Sequence, residues 1–109
     1  MGESRTRVLL HALGLPEVEL QVELHDGRGA LVGWVDFLFR GQRTVVEFDG
    51  LLKYGGGAGQ QELVREKLRE DRLRALGLEV VRLTWRDLDD PAAVLDRVHA
   101  AFARARRAA

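Results

Sequence analysis

Two apolar runs, residues 31–39 and 43–49, stand next to each other in the chain with only Arg40-Gly41-Gln42 between them. Both are apolar at odd and even positions alike, as in Phe37-Leu38-Phe39 and Val45-Val46. A strand of that kind has no wet face and belongs in the middle of a sheet. The short link returns the second run against the first, so the pair reads as an antiparallel hairpin. The rest of the chain is built around it. Val8, Leu9, Ala12 and Leu13 recur at helical spacing, and Gly14 and Pro16 end a helix over 3–13. Val18, Leu20, Val22 and Leu24 alternate with Glu19, Gln21 and Glu23, which predicts a strand with one wet face. His25-Asp26-Gly27-Arg28-Gly29 turns it into the hairpin. A charged helix over 60–76 stops at Gly77, a strand over 78–85 follows, and Asp90-Pro91 opens a last helix over 92–106. The predicted order is α-β-β-β-α-β-α, with the first three strands in a meander.

Composition narrows the function classes. At 109 residues and 46% apolar content the chain has material for one domain, residues 1–109, with one core. The 17 basic and 17 acidic residues cancel, which excludes a histone-like tail or a strongly cationic membrane binder and leaves room for a local basic patch. There is no cysteine, so disulfides, zinc fingers, iron–sulfur clusters and thiol nucleophiles are excluded. No run approaches the ~18 apolar residues of a membrane span, and the first residues form no apolar leader. A cytoplasmic protein off the membrane is expected.

Three acids interrupt the central hairpin: Asp36 in Trp34-Val35-Asp36-Phe37, and Glu47 and Asp49 in Val46-Glu47-Phe48-Asp49-Gly50. Acidic residues form strands poorly, and a buried carboxylate without a partner is costly. Glu47 and Asp49 are two apart and share a sheet face. A tight hairpin sets Asp36 within a neighbour or two of Glu47. Carboxylates gathered this way repel unless a cation sits between them, and Mg²⁺ or Mn²⁺ suits oxygen ligands. Each acid also has an ordinary reading, as a solvated strand end or, for Asp49, as the start of a turn before Gly50.

Asp36 followed by Glu47-Phe48-Asp49 resembles the D-x(n)-(D/E)-x-K signature of the PD-(D/E)XK nuclease superfamily, the restriction-endonuclease-like fold. The chain is most similar to the branch of small domains related to very-short-patch-repair endonucleases. The matching segments, in order, are Glu3, Val35-Asp36-Phe37, Val46-Glu47-Phe48-Asp49-Gly50, Arg69-Glu70-Asp71-Arg72 with Leu76-Gly77, and Val80-Val81-Arg82. They cover residues 3–104. The resemblance implies an α/β restriction-endonuclease-like core, a central mixed four-stranded sheet flanked by helices, and metal-dependent hydrolysis of DNA. It implies Asp36, Glu47 and Asp49 as ligands of Mg²⁺ or Mn²⁺, and Glu3 acting on the metal through water. It implies Lys53 at the phosphate; Lys53 and Lys67, with Tyr54 as an aromatic able to stack on a base and Arg104 from the basic C-terminal end, are the expected nucleic-acid contacts. It also implies a fused or separate DNA-binding domain, with this chain a fragment of a larger polypeptide. Asp49 departs from the wider superfamily, which has lysine there; Lys53 or Lys67 would have to supply one. The alternative is a nuclease fold that no longer cuts and serves as a nucleic-acid-binding, toxin–antitoxin or repair accessory module.

The remaining features read more plainly. Val64, Leu68 and Ala75 give the helix over 60–76 a buried stripe that contains Asp71, which predicts an ion pair with Arg82. Gly55-Gly56-Gly57-Ala58-Gly59 is a glycine-rich loop without a phosphate-loop pattern. Arg97, Arg104, Arg106 and Arg107 suit either the end of a helix dipole or phosphate. Trp85 is placed either to stack on a base or to pack.

Overall fold

The structure is a computed structural model that describes residues 1–50 and 59–108. Four strands, β1 (Glu19–His25), β2 (Leu31–Phe39), β3 (Thr44–Phe48) and β4 (Glu79–Leu83), form one sheet in the order β1-β2-β3-β4. β1, β2 and β3 are antiparallel neighbours, and β4 runs parallel to β3. A parallel neighbour needs a long crossover, and α2 (Gly59–Ala75) lies in it. α1 (Gly2–Ala12) precedes the sheet, while α3 (Trp85–Leu88) and α4 (Pro91–Ala108) follow it. The order is therefore α-β-β-β-α-β-α-α. The mixed sheet flanked by helices is as expected, and the short α3 is an addition. It follows from Thr84-Trp85-Arg86-Asp87, a capping box in which the Thr84 N–H donates to Asp87 Oδ2 at 2.8 Å.

Alternation in the central strands divides the interior in two, where composition had suggested one core. On one face Phe37, Phe39, Val46, Val81 and Leu83 pack against Val94, Val98, Ala101 and Phe102 of α4, with Leu10 of α1 and Leu88 of α3. The second cluster joins Val32, Val35, Leu38, Val45 and Val80 to Leu73 of α2. The first is well supplied: Phe39 meets Phe102 edge-on at 5.2 Å.

The phase of α2 corrects the sequence reading. Val64 and Leu68 are each 58% exposed, and Leu73 is the helix's buried residue. Asp71 is not in a buried stripe and does not meet Arg82; it is exposed and pairs with Lys67 at 3.2 Å. Glu66, Arg69, Glu70 and Leu73 instead face the sheet, at the three- and four-residue steps of one helical face. The cause lies across the interface. Beneath this part of α2 the sheet presents Glu47 and Arg82, so charge pairing fixes the rotation of the helix there.

Candidate active site

The hairpin register builds the site. The β2–β3 pairing runs to Phe37 and Val46; Asp36 and Glu47 are the next residues beyond it, and the Asp36 side chain ties the two strands there by accepting the Phe48 backbone N–H. Glu47 is itself the neighbour of Arg82 on β4. Glu47 and Arg82 are thus side by side beneath α2, and Asp36 lines the same cleft. They form the floor of a cleft of about 830 Å³, whose walls include Trp34, Asp49, Glu62, Glu66, Lys67, Arg69 and Glu70.

Each floor residue has a defined partner. Asp36 Oδ2 accepts the Phe48 backbone N–H at 3.1 Å. Glu47, 7% exposed, is gripped from both sides by Arg69: Nη1 donates to Oε1 at 2.9 Å and Nη2 to Oε2 at 2.6 Å. This is a bidentate, charge-assisted fork. Arg69 Nη2 also donates to the Trp34 carbonyl. Gly33 makes the space: its φ is +153°, and a Cβ there would lie 3.3 Å from Arg69 Nε. Arg82 lies 2.9 Å from Glu66, 3.1 Å from Glu70 and 3.8 Å from Asp49.

A second, smaller hollow of about 140 Å³ lies on the α1 side of Asp36 and is lined by Glu3 and Gln21 among others. The Gln21 side-chain amide donates to Glu3. Gln21 has φ +52°, a left-handed conformation uncommon outside glycine. Burial pushes the Asp36 carboxyl above the usual carboxylate range, and the neighbouring Glu3 adds to the effect against the Phe48 N–H. The bonds from Glu47 hold the Arg69 guanidinium above its ordinary value. Burial pushes Glu70 up, but the bonds from Arg74 and Arg82 outweigh it and leave the carboxyl lowered.

Of the residues singled out in the sequence, Asp36, Glu47 and Asp49 line the cleft together, and Glu3 flanks Asp36 from α1. Lys67 stands at the cleft wall, bonded to Asp71. Arg104 is not brought there. It pairs with Glu79 at 2.7 Å, where β4 begins, at the opposite end of the strand. Trp85 packs edge-on against Phe48 at 4.8 Å. Lys53, Tyr54 and the glycines at 55–57 lie outside the described residues. The sequence names Arg69 only as part of Arg69-Glu70-Asp71-Arg72 and Trp34 only as part of the β2 run; their place at the site, on Glu47 and on the cleft wall, comes from the structure.

The chain is 32% identical over 107 residues to two uncharacterized proteins of Mycobacterium tuberculosis, MT2308 and Rv2248. The match covers 97% of this chain and 38% of each of theirs, so the chain spans well under half the length of these curated relatives. No family model and no solved structure matches it.

The donor set bears on a metal. Among the described residues no three His, Asp or Glu side chains form a ready-made metal site. Asp36 and Glu47 nevertheless bring hard oxygen donors to neighbouring strands, and Mg²⁺ is commonly held by one or two carboxylates with water and phosphate completing its shell. A cationic group already lies against Glu47, which marks the place as one that draws positive charge. The residues fit such an ion on condition that Arg69 gives way.

Proposed function

We propose that this chain is a metal-dependent endonuclease domain, with a restriction-endonuclease-like core, that hydrolyses DNA phosphodiester bonds in the cytoplasm. The observation that carries the reading is that Asp36 and Glu47, from neighbouring strands, line one acid-rich cleft with Asp49. In this reading Asp36 and Glu47 hold Mg²⁺ or Mn²⁺, and Asp49 offers a further oxygen or orients water. When bound, the ion supplies Lewis-acid polarisation of the phosphate and acidifies a water. Glu3 acts on Asp36, adding negative charge beside it and strengthening its draw on a cation. Trp34 and Lys67, on the cleft wall, line the nucleic acid's path; Lys53 and Tyr54, the further contacts expected from the sequence, lie outside the described residues. Among the described residues no helix is long and apolar enough to cross a membrane.

Nicking of supercoiled plasmid tests the proposal, with Mg²⁺, Mn²⁺ or EDTA and an Asp36→Asn variant alongside. Metal-dependent nicking is expected in the natural chain. The variant is expected to lose more than 100-fold, since even outer partners of a metal site are worth about 10–100-fold. No nicking with either metal would turn the reading to a second one, favoured by Asp49 standing where the wider superfamily has lysine. In that reading the chain is a nuclease fold that binds nucleic acid as an accessory. Of the two lysines, Lys67 is exposed and pairs with Asp71 across one turn of α2. Mn²⁺ binding that depends on Asp36 separates the two readings.

A further inference from the structure

We propose that Arg69 is a resident counter-cation, which occupies Glu47 until a divalent ion enters and then turns its guanidinium to a phosphate of the nucleic acid. The inference rests on the nuclease reading above. Both oxygens of Glu47 are engaged by the Arg69 fork, at 2.9 and 2.6 Å. An ion drawn to the same carboxylate meets a fixed positive charge beside it, so the two cations compete. The resting place is built into the backbone: Gly33 leaves the space, and the Trp34 carbonyl takes a third bond. Glu66 lies 3.7 Å from Arg69 Nη1, a second acceptor from which the side chain can swing. A planar guanidinium matches a phosphate as well as it matches a carboxylate. Arg69 released from Glu47 is therefore already in the cleft where a phosphodiester would lie.

Two consequences follow from the exchange. The ion alone binds weakly, because it must displace Arg69. A phosphodiester that accepts Arg69 frees Glu47, so ion and nucleic acid strengthen each other's binding by the same factor.

The test titrates Mn²⁺ by electron paramagnetic resonance, with and without a nuclease-resistant phosphorothioate DNA duplex. It uses the natural chain, Arg69→Met and Arg69→Lys, the last retaining the charge while losing the fork. Circular dichroism on the same samples identifies any variant that fails to fold. Without DNA, Arg69→Met is expected to bind Mn²⁺ about tenfold more tightly, the worth of a charge-assisted bond, with Arg69→Lys in between. The duplex is expected to tighten Mn²⁺ binding in the natural chain and to lose that effect in Arg69→Met. If the folded variants bind Mn²⁺ no more tightly than the natural chain, Arg69 only positions Glu47 and the exchange is wrong, while the nuclease reading stands. If none of the three binds Mn²⁺, with or without duplex, both fall together.

Discussion

Asp36 sits where its charge is least welcome, partly buried and beside Glu3. Its folded-state pKa is raised, by burial first and by Glu3 after it. For an acid this means the folded chain holds the proton more tightly than the unfolded one. Stability therefore falls as pH rises through the window between the ordinary aspartate value and the raised one, and the loss is complete above it. Asp36→Asn removes the charge and leaves the size. It is expected to stabilise the fold at pH 7 by on the order of 1 kcal/mol, an advantage that shrinks as the pH drops into the ordinary aspartate range. Thermal unfolding across pH 3 to 8 measures it. The same substitution abolishes nicking in the proposed function, so a gain in stability and a loss of activity are expected together. Asp36 and Glu47 were legible in the sequence because a carboxylate inside an apolar strand is chemically out of place. Arg69 stands in the sequence as part of a matching segment, but its grip on Glu47 does not, because that partner is 22 residues away in the chain.

At the scale of elements, α2 and α4 are opposites. α4 buries Val94, Val98, Ala101, Phe102 and Ala105 and is oriented by them. α2 buries Leu73 alone and is oriented by ion pairs with the sheet. Leu73→Ala is expected to cost about 2–4 kcal/mol, as a core truncation does. Leu68→Ala, on the exposed face, is expected to change stability by less than about 0.5 kcal/mol. Urea unfolding of the two variants checks both. Had the stripe of Val64 and Leu68 been the buried one, the order would be reversed. Most strands and helices were readable from periodicity and from glycine and proline stops, but the strand expected over 78–85 ends at Leu83 and Trp85 opens α3. The rotation of α2 was not, because reading a helix by its apolar residues assumes an apolar partner, and this part of the sheet offers Glu47 and Arg82.

In the whole molecule equal numbers of acids and bases conceal an uneven distribution. Among the described residues six carboxylates and three cations line the cleft, and this part of its floor and walls repels a phosphate backbone. Fluorescence anisotropy with a labelled DNA duplex is expected to show binding with Ca²⁺ present and little in EDTA, and the Ca²⁺-dependent binding is expected to weaken as salt rises. Neutrality overall was legible; where the charges gather depends on which strands become neighbours. The sheet has a further consequence at the β1 edge. β1 is an outer strand, and an outer strand is a template on which another chain can add a strand of its own. Glu19 and Glu23 line that edge with charge, and Gln21 takes it out of extended geometry with its φ of +52°. The glutamine that meets Glu3 beside the cleft thus also interrupts the edge, and with it a route by which such a sheet could grow sideways into a fibre.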